Sequence, residues 1–179
     1  MYINGWGEEM IKTNRLELRT LSTKYSNDLY GIWSNEEIIK YTHATKVNNK
    51  SECDARVNLW VNEHTDKENP NNFVVLLNEK VIGIIGYPII NKEERKFGFF
   101  YQFLKEYWGK GYASEAARAV IDNIKDIYNE AIVYADAIVE NVSSNRILKK
   151  LLFEEISIEK EGFVKDNTKL DIIHYRKII

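Results

Sequence analysis

Hydrophobic and polar positions alternate with a period of two at residues 15–19, where Leu16 and Leu18 lie between Arg15, Glu17 and Arg19. That is the pattern of a half-buried strand. Residues 28–33 and 36–41 carry the spacing of two short helices. A longer helix is expected after Ser51, with Asp54 three residues on as a capping-box-like start and Cys53, Val57, Trp60 and Val61 on one stripe that His64 edges. Apolar runs at 73–77, 81–90 and 97–104 are separated by short polar segments, which predicts an antiparallel meander and argues against a Rossmann arrangement. Ala113, Ala116, Ala117, Val120, Ile121, Ile124 and Ile127 then recur at helical spacing. An apolar strand is expected at 131–139, a helix with Ile147, Leu148, Leu151 and Leu152 on its buried face, and a last hairpin of 154–165 and 170–178 around Asp166, Asn167 and Thr168.

The 179 residues suit one domain, long enough to bury roughly 70% of the unfolded surface. The 44% hydrophobic and 29% charged composition is that of a soluble globular protein, and a net charge of −2 gives no electrostatic reason to bind nucleic acid or an anionic membrane. Cys53 is the single cysteine, so neither an intrachain disulfide nor a cysteine metal cluster is available. His43, His64 and His174 are scattered, and no metal site is expected. The first ten residues have acidic groups where a signal peptide would have basic ones, and no apolar run reaches membrane-spanning length. A cytoplasmic protein is expected.

Candidate chemistry is concentrated where the meander ends. Residues 97–104 run into Tyr107-Trp108-Gly109-Lys110-Gly111-Tyr112-Ala113-Ser114 and then into the strongest helical pattern of the chain. A strand, a glycine loop and a helix start in that order build an anion site, because about four N–H groups at a helix start lack intrahelical partners and carry partial positive charge. Glycine lets the backbone turn sharply and lets a phosphate come close. The loop lacks the Lys-Ser/Thr pair of a P-loop and the third glycine of a dinucleotide fingerprint.

A second constellation follows the strand at 131–139, namely Asn141-x-x-Ser144-x-Arg146-x-Leu148-x-Lys150-Leu151-Leu152-Phe153. With the loop, it resembles the GNAT superfamily of acetyl-CoA-dependent N-acetyltransferases, and most of all the branch that acetylates ribosomal-protein N-termini. The likeness extends to residues 13–19 and 82–86. It implies a GNAT fold over residues 1–179, a largely antiparallel mixed α/β sheet splayed into a V with helices on both faces. It implies acetyl-CoA in the cleft, its pyrophosphate on the segment Trp108, Gly109, Lys110, Gly111, Tyr112, Ala113 and Ser114, and its pantetheine along the backbone of Phe103 and Leu104. The amide near Phe103 would polarise the acetyl carbonyl.

By the same resemblance Ser144 faces the CoA sulfur as an acid toward the departing thiolate, and Asn141 and Arg146 contact CoA. Read as residues alone, Ser143 and Ser144 equally suit a helix N-cap, Asn141 a turn, and Arg146 and Lys150 a solvated helix face. Trp33, Tyr41 and His43 fall in the segment that lines the acceptor side. The acceptor is a primary amine, a small molecule or a protein N-terminus, and a second copy of the chain is a further candidate partner. Two positions depart from the family pattern. Gly98 stands where many members have a catalytic glutamate, and Leu152 where the motif has glycine. The missing glutamate makes solvent the expected proton acceptor, with His43 and His174 as the protein groups that would replace it. It also leaves open a rival reading, a CoA-binding regulatory or interaction module with little catalysis.

Overall fold

The computed structural model describes residues 2–3, 9–66 and 68–179; part of the N-terminal stretch read above for targeting signals lies outside them. Strands β1 (Tyr2–Ile3), β2 (Glu9–Lys12) and β3 (Glu17–Thr20) precede helices α1 (Ser26–Trp33), α2 (Glu36–Ile39) and α3 (Lys50–Leu59). Then come β4 (Asn72–Leu77), β5 (Lys80–Gly86), β6 (Ile89–Asn91), β7 (Lys96–Phe97) and β8 (Phe100–Phe103). Helix α4 (Tyr112–Tyr128), β9 (Ile132–Ile138), α5 (Val142–Lys150) and the hairpin β10 (Glu154–Lys165) and β11 (Thr168–Ile178) complete the order.

Six strands form one sheet in the order β1-β2-β3-β4-β5-β8, and five form another in the order β10-β11-β9-β7-β6. The apolar runs at 81–90 and 97–104 are each broken, and the break creates the two sheets. Pro88 has no N–H to give a ladder, and Gly98 donates to the Pro88 carbonyl at 2.7 Å. So β5 and β8 stay in the first sheet, paired from Gly83↔Phe103 to Gly86↔Phe100, while β6 and β7 cross into the second. There β7 runs parallel to β9 through Lys96↔Ile132 and Phe97↔Val133. Pairing of β7 with β9 ends at Phe97 and β8 belongs to the other sheet, so β8 and β9 share no ladder and the sheets part there into a V-shaped cleft.

One core lies between the sheets, where Leu18, Val75, Ile85 and Phe103 meet Val133, Ala135 and Tyr175 under the small-residue face of α4, Ala116, Ala117 and Val120. A second core packs α1, α2 and α3, through Leu29, Ile38 and Val57, on the other face of the first sheet at Val74 and Ile84. The pattern therefore predicted most of the elements, though not β1 or β2, and misplaced some ends. The cap of α3 is Asn49 and not Ser51: its side chain accepts from the Glu52 amide at 3.0 Å and donates to the Glu52 carboxylate at 2.9 Å, a reciprocal cap two residues earlier than expected. Leu152 is outside α5, at φ 62° and 77% exposed, because the helix closes with Phe153 N–H on the Leu148 carbonyl.

Candidate active site

The glycine loop reaches α4 as its sequence suggests, one residue earlier than expected. Gly109 and Gly111 have φ of 72° and 84°, and Gly111 is the N-cap. A side chain at either position would strain a left-handed backbone. The α4 start thus turns the N–H groups of Tyr112, Ala113 and Ser114 out of the helix end, a place that favours an anion. Lys110 and Trp108 are exposed beside it.

A latch from the other end of the chain holds this loop. The Arg15 guanidinium meets the Glu115 carboxylate at 2.6 Å, donates to the Lys110 carbonyl at 3.1 Å and lies 4.5 Å over the Tyr112 ring. Thr13 donates to the same carboxylate at 2.6 Å. Burial acts to raise the Glu115 pKa, but the bonds from Thr13 and Arg15 prevail and hold it below the usual carboxylate range. Arg15 and Glu115 are residues that sequence reasoning missed as site residues. The Thr13–Arg19 similarity pointed at this stretch, and its contact with the loop did not follow from it.

On one wall of the cleft, β8 is the edge of its sheet. The Leu104 N–H donates to the Ile82 carbonyl at 2.9 Å, which fixes the alternation so that Phe103 turns its N–H and C=O to the open edge. The Leu104 carbonyl accepts from Tyr107 at 3.0 Å. Leu104 therefore spends both backbone groups inside the protein, contrary to the expectation that it would offer them to a ligand, and Phe103 is the residue whose N–H faces the open edge. The Phe103 carbonyl accepts from the Trp108 indole at 2.7 Å, which ties the loop to the strand.

The other wall ends in α5. Its N-cap is Asn141, whose side-chain oxygen accepts from the Ser144 amide at 3.2 Å and from the Ser143 hydroxyl at 3.1 Å. A contact from Asn141 to a cofactor would then come from its amide nitrogen. Capping is thus done without the Ser144 hydroxyl, which instead lies 2.8 Å from the Tyr101 hydroxyl across the cleft. Asn145, a third residue missed in the sequence, donates to the carbonyls of Ile138 and Asn141 at 2.9 and 3.0 Å and accepts from the Tyr175 hydroxyl at 2.8 Å. It clamps the start of α5 onto the end of β9. Arg146 and Lys150 are exposed on α5.

The acceptor-side expectations separate. Trp33 is 1% exposed, its indole N–H donates to the buried Gln102 at 2.8 Å, and Trp60 packs against it at 5.4 Å. It is a core residue and presents nothing to a ligand. Tyr41 packs on the cluster of Ile138, Phe163 and Ile172, and exposed His43 stands edge-on to the Phe163 ring at 5.0 Å, so both join the α2–α3 connection to the last hairpin. His174 lies between Asp136 at 2.8 Å and Glu159 at 3.2 Å; the bond to Asp136 raises its pKa against partial burial. At Gly98 a Cβ would stand 3.2 Å from the Pro88 side chain, so a larger residue at the position of the family glutamate would be crowded and would need the Pro88 ring to give by a few tenths of an ångström. Among the described residues no group of three or more His, Cys, Asp and Glu converges to hold a metal, and no helix is long and apolar enough to cross a membrane.

Comparison with known proteins bears on the family and the fold. A sequence model of the acetyltransferase (GNAT) domain matches residues 15–154. The chain is 30% identical over 158 residues to the uncharacterized N-acetyltransferase YnaD of Bacillus subtilis, covering 87% of this chain and 85% of that protein. It is 29% identical over 163 residues to the uncharacterized N-acetyltransferase p20 of Bacillus licheniformis, covering 90% and 88%. Among solved structures, the fold superposes with a TM-score of 0.84 on RimL, a ribosomal L7/L12 alpha-N-protein acetyltransferase in complex with coenzyme A, at 16% identity over 96% of this chain and 98% of that one. The score is 0.81 for the spermidine N-acetyltransferase of Vibrio cholerae in complex with CoA and spermine, at 22% identity over 93% and 96%.

Proposed function

Because the chain belongs to the GNAT acetyltransferase family, we propose that it is a single-domain cytoplasmic enzyme that moves the acetyl group of acetyl-CoA to a primary amine by direct attack in a ternary complex. The observation that carries this reading is the placement of a left-handed glycine loop and a helix start at one end of an open edge strand, with a serine hydroxyl across the cleft. The α4 N–H groups would hold the pyrophosphate, and the outward Phe103 N–H would pair with pantetheine or polarise the acetyl carbonyl, where an oxyanion develops. Ser144 would give a hydrogen bond to the departing thiolate, whose conjugate acid has a pKa of about 8.5. Buried, unpaired Cys53 suits a reducing compartment.

For the acceptor, the reading is a primary amine approaching past Tyr41 and His43. RimL acts on a ribosomal-protein N-terminus and the Vibrio cholerae enzyme on spermidine, so both classes belong in the first assay. A CoA-binding module with little catalysis is the second reading, favoured by the glycine at position 98 that Pro88 crowds. Calorimetry with acetyl-CoA tests the donor site: wild type should bind, and Gly111→Val should weaken binding at least tenfold, since valine at φ 84° both strains the loop and blocks the phosphate. Equal affinities would reduce the loop to a plain connection. Release of CoA thiol in a panel of spermidine, amino sugars and peptides with N-terminal serine or alanine separates the two readings, and tight binding with no release in any of them favours the module.

A further inference from the structure

Among the described residues, the hydroxyl that meets Ser144 comes from Tyr101, 43 residues earlier in the chain and on the opposite wall of the cleft. We propose that Tyr101 is a positioning residue for thioester cleavage: its phenol donates to Ser144 Oγ and thereby leaves the Ser144 proton to face the departing sulfur. The inference rests on the acetyl-transfer reading above.

A serine hydroxyl has one proton and two acceptor sites. With its proton spent on the Tyr101 oxygen, Ser144 would have nothing to offer a thiolate. With Tyr101 as the donor, the pair becomes a chain, phenol to serine to sulfur, in which each bond polarises the next. A thiolate is a better acceptor than a neutral phenol oxygen, so the arrival of negative charge on sulfur selects that direction. Three further observations support it. The Tyr101 ring is held edge-on to Phe99 at 5.9 Å, and Phe99 is stacked on Phe153 at 5.9 Å, so the phenol cannot swing freely. The Ser144 backbone is fixed by the Asn141 cap and the Asn145 clamp, so neither end of the contact drifts. Burial pushes the Tyr101 phenol up to about 12 despite the lowering effect of Ser144, so at neutral pH it keeps the proton that the role requires.

No proton leaves Tyr101 in the step. The amine lone pair forms the C–N bond at the acetyl carbon, the C–S bond breaks with its electron pair on sulfur, the surplus proton of the nitrogen goes to solvent, and the CoA thiolate departs as an anion held by the Ser144 hydroxyl.

The test is thiol release from acetyl-CoA, with spermidine and an N-terminal-serine peptide as acceptors, for wild type, Tyr101→Phe, Ser144→Ala and the double variant. Tyr101→Phe keeps the ring and should lower kcat roughly 5- to 20-fold, an effect in the range of one lost hydrogen bond. The dissociation constant of acetyl-CoA should stay within about twofold, and the double variant should be no slower than Ser144→Ala within about twofold, because Tyr101 acts only through Ser144. Wild-type kcat in Tyr101→Phe, or losses that multiply in the double variant, overturns the proposal. Should Tyr101→Phe not fold, 3-fluorotyrosine at position 101, a more acidic donor of nearly the same shape, is expected to hold or raise kcat, and a fall there overturns it equally. A wild-type chain that releases no thiol with any amine removes the acetyl-transfer reading and this inference with it, whereas an active wild type with an indifferent Tyr101→Phe removes the inference alone.

Discussion

Leu152 occupies a left-handed backbone position just past α5, at φ 62°, where the family motif has glycine. For a residue with a Cβ that conformation costs about 1 kcal/mol, and an exposed leucine recovers little of it by burial. Leu152→Gly should therefore stabilise the protein by about 0.5 kcal/mol after the extra freedom of glycine in the unfolded chain is counted, a rise of roughly 1–2 °C in Tm. Thermal melts of the two proteins decide it, and an unchanged or lower Tm would mean that the helix end tolerates leucine without strain. Gly98 departs in the opposite direction. Its missing side chain is matched by the Pro88 ring 3.2 Å from the position of a Cβ, so the departure is bound to the bend of the backbone and not only to chemistry.

The element that carries most of the proposed donor site is the loop with the first turn of α4, and it depends for its support on the β2–β3 connection, where Arg15 lies 100 residues before Glu115. Glu115 shows how. Its carboxyl is lowered in the folded protein, so the stability it contributes is fully present above the unfolded carboxylate value and is lost as pH falls through the lower folded one. Glu115→Gln should cost about 1 kcal/mol near pH 7, discounted because Arg15 is half exposed. The difference between the two proteins should shrink toward zero below about pH 4 as the wild-type carboxylate is protonated. Urea melts at pH 3 to 8 measure this, and a difference that stays constant across the range would show that the latch works by shape and not by charge.

At the scale of the molecule, the proposed transfer requires that the amine lose a proton, and the place where the sheets part bears on where that proton would go. The family glutamate position is a glycine at the root of the V, and both ring nitrogens of His174 are engaged by carboxylates, so the expected proton acceptor is solvent. Activity should then follow the ionisation of the substrate, and kcat/KM plotted against pH for an α-amine and an alkyl amine should give apparent pKa values about 2 units apart, near 8 and 10. A limb at one fixed pH for both amines, lost in His174→Gln or His43→Gln, would instead assign a protein base. What the sequence by itself determined was local: the helices, the strand alternation, the glycine loop, the serine after Asn141. Each of these is written in neighbours two to four residues apart, which see one another in any fold. The structure alone decided that two apolar runs break at Pro88 and Gly98, that Trp33 is core, that Leu104 is spent within its own sheet, that Arg15 braces the loop and that Tyr101 meets Ser144. These depend on strand register and on the angle between two sheets, quantities set by the packing of the whole chain and recorded in no short stretch of it.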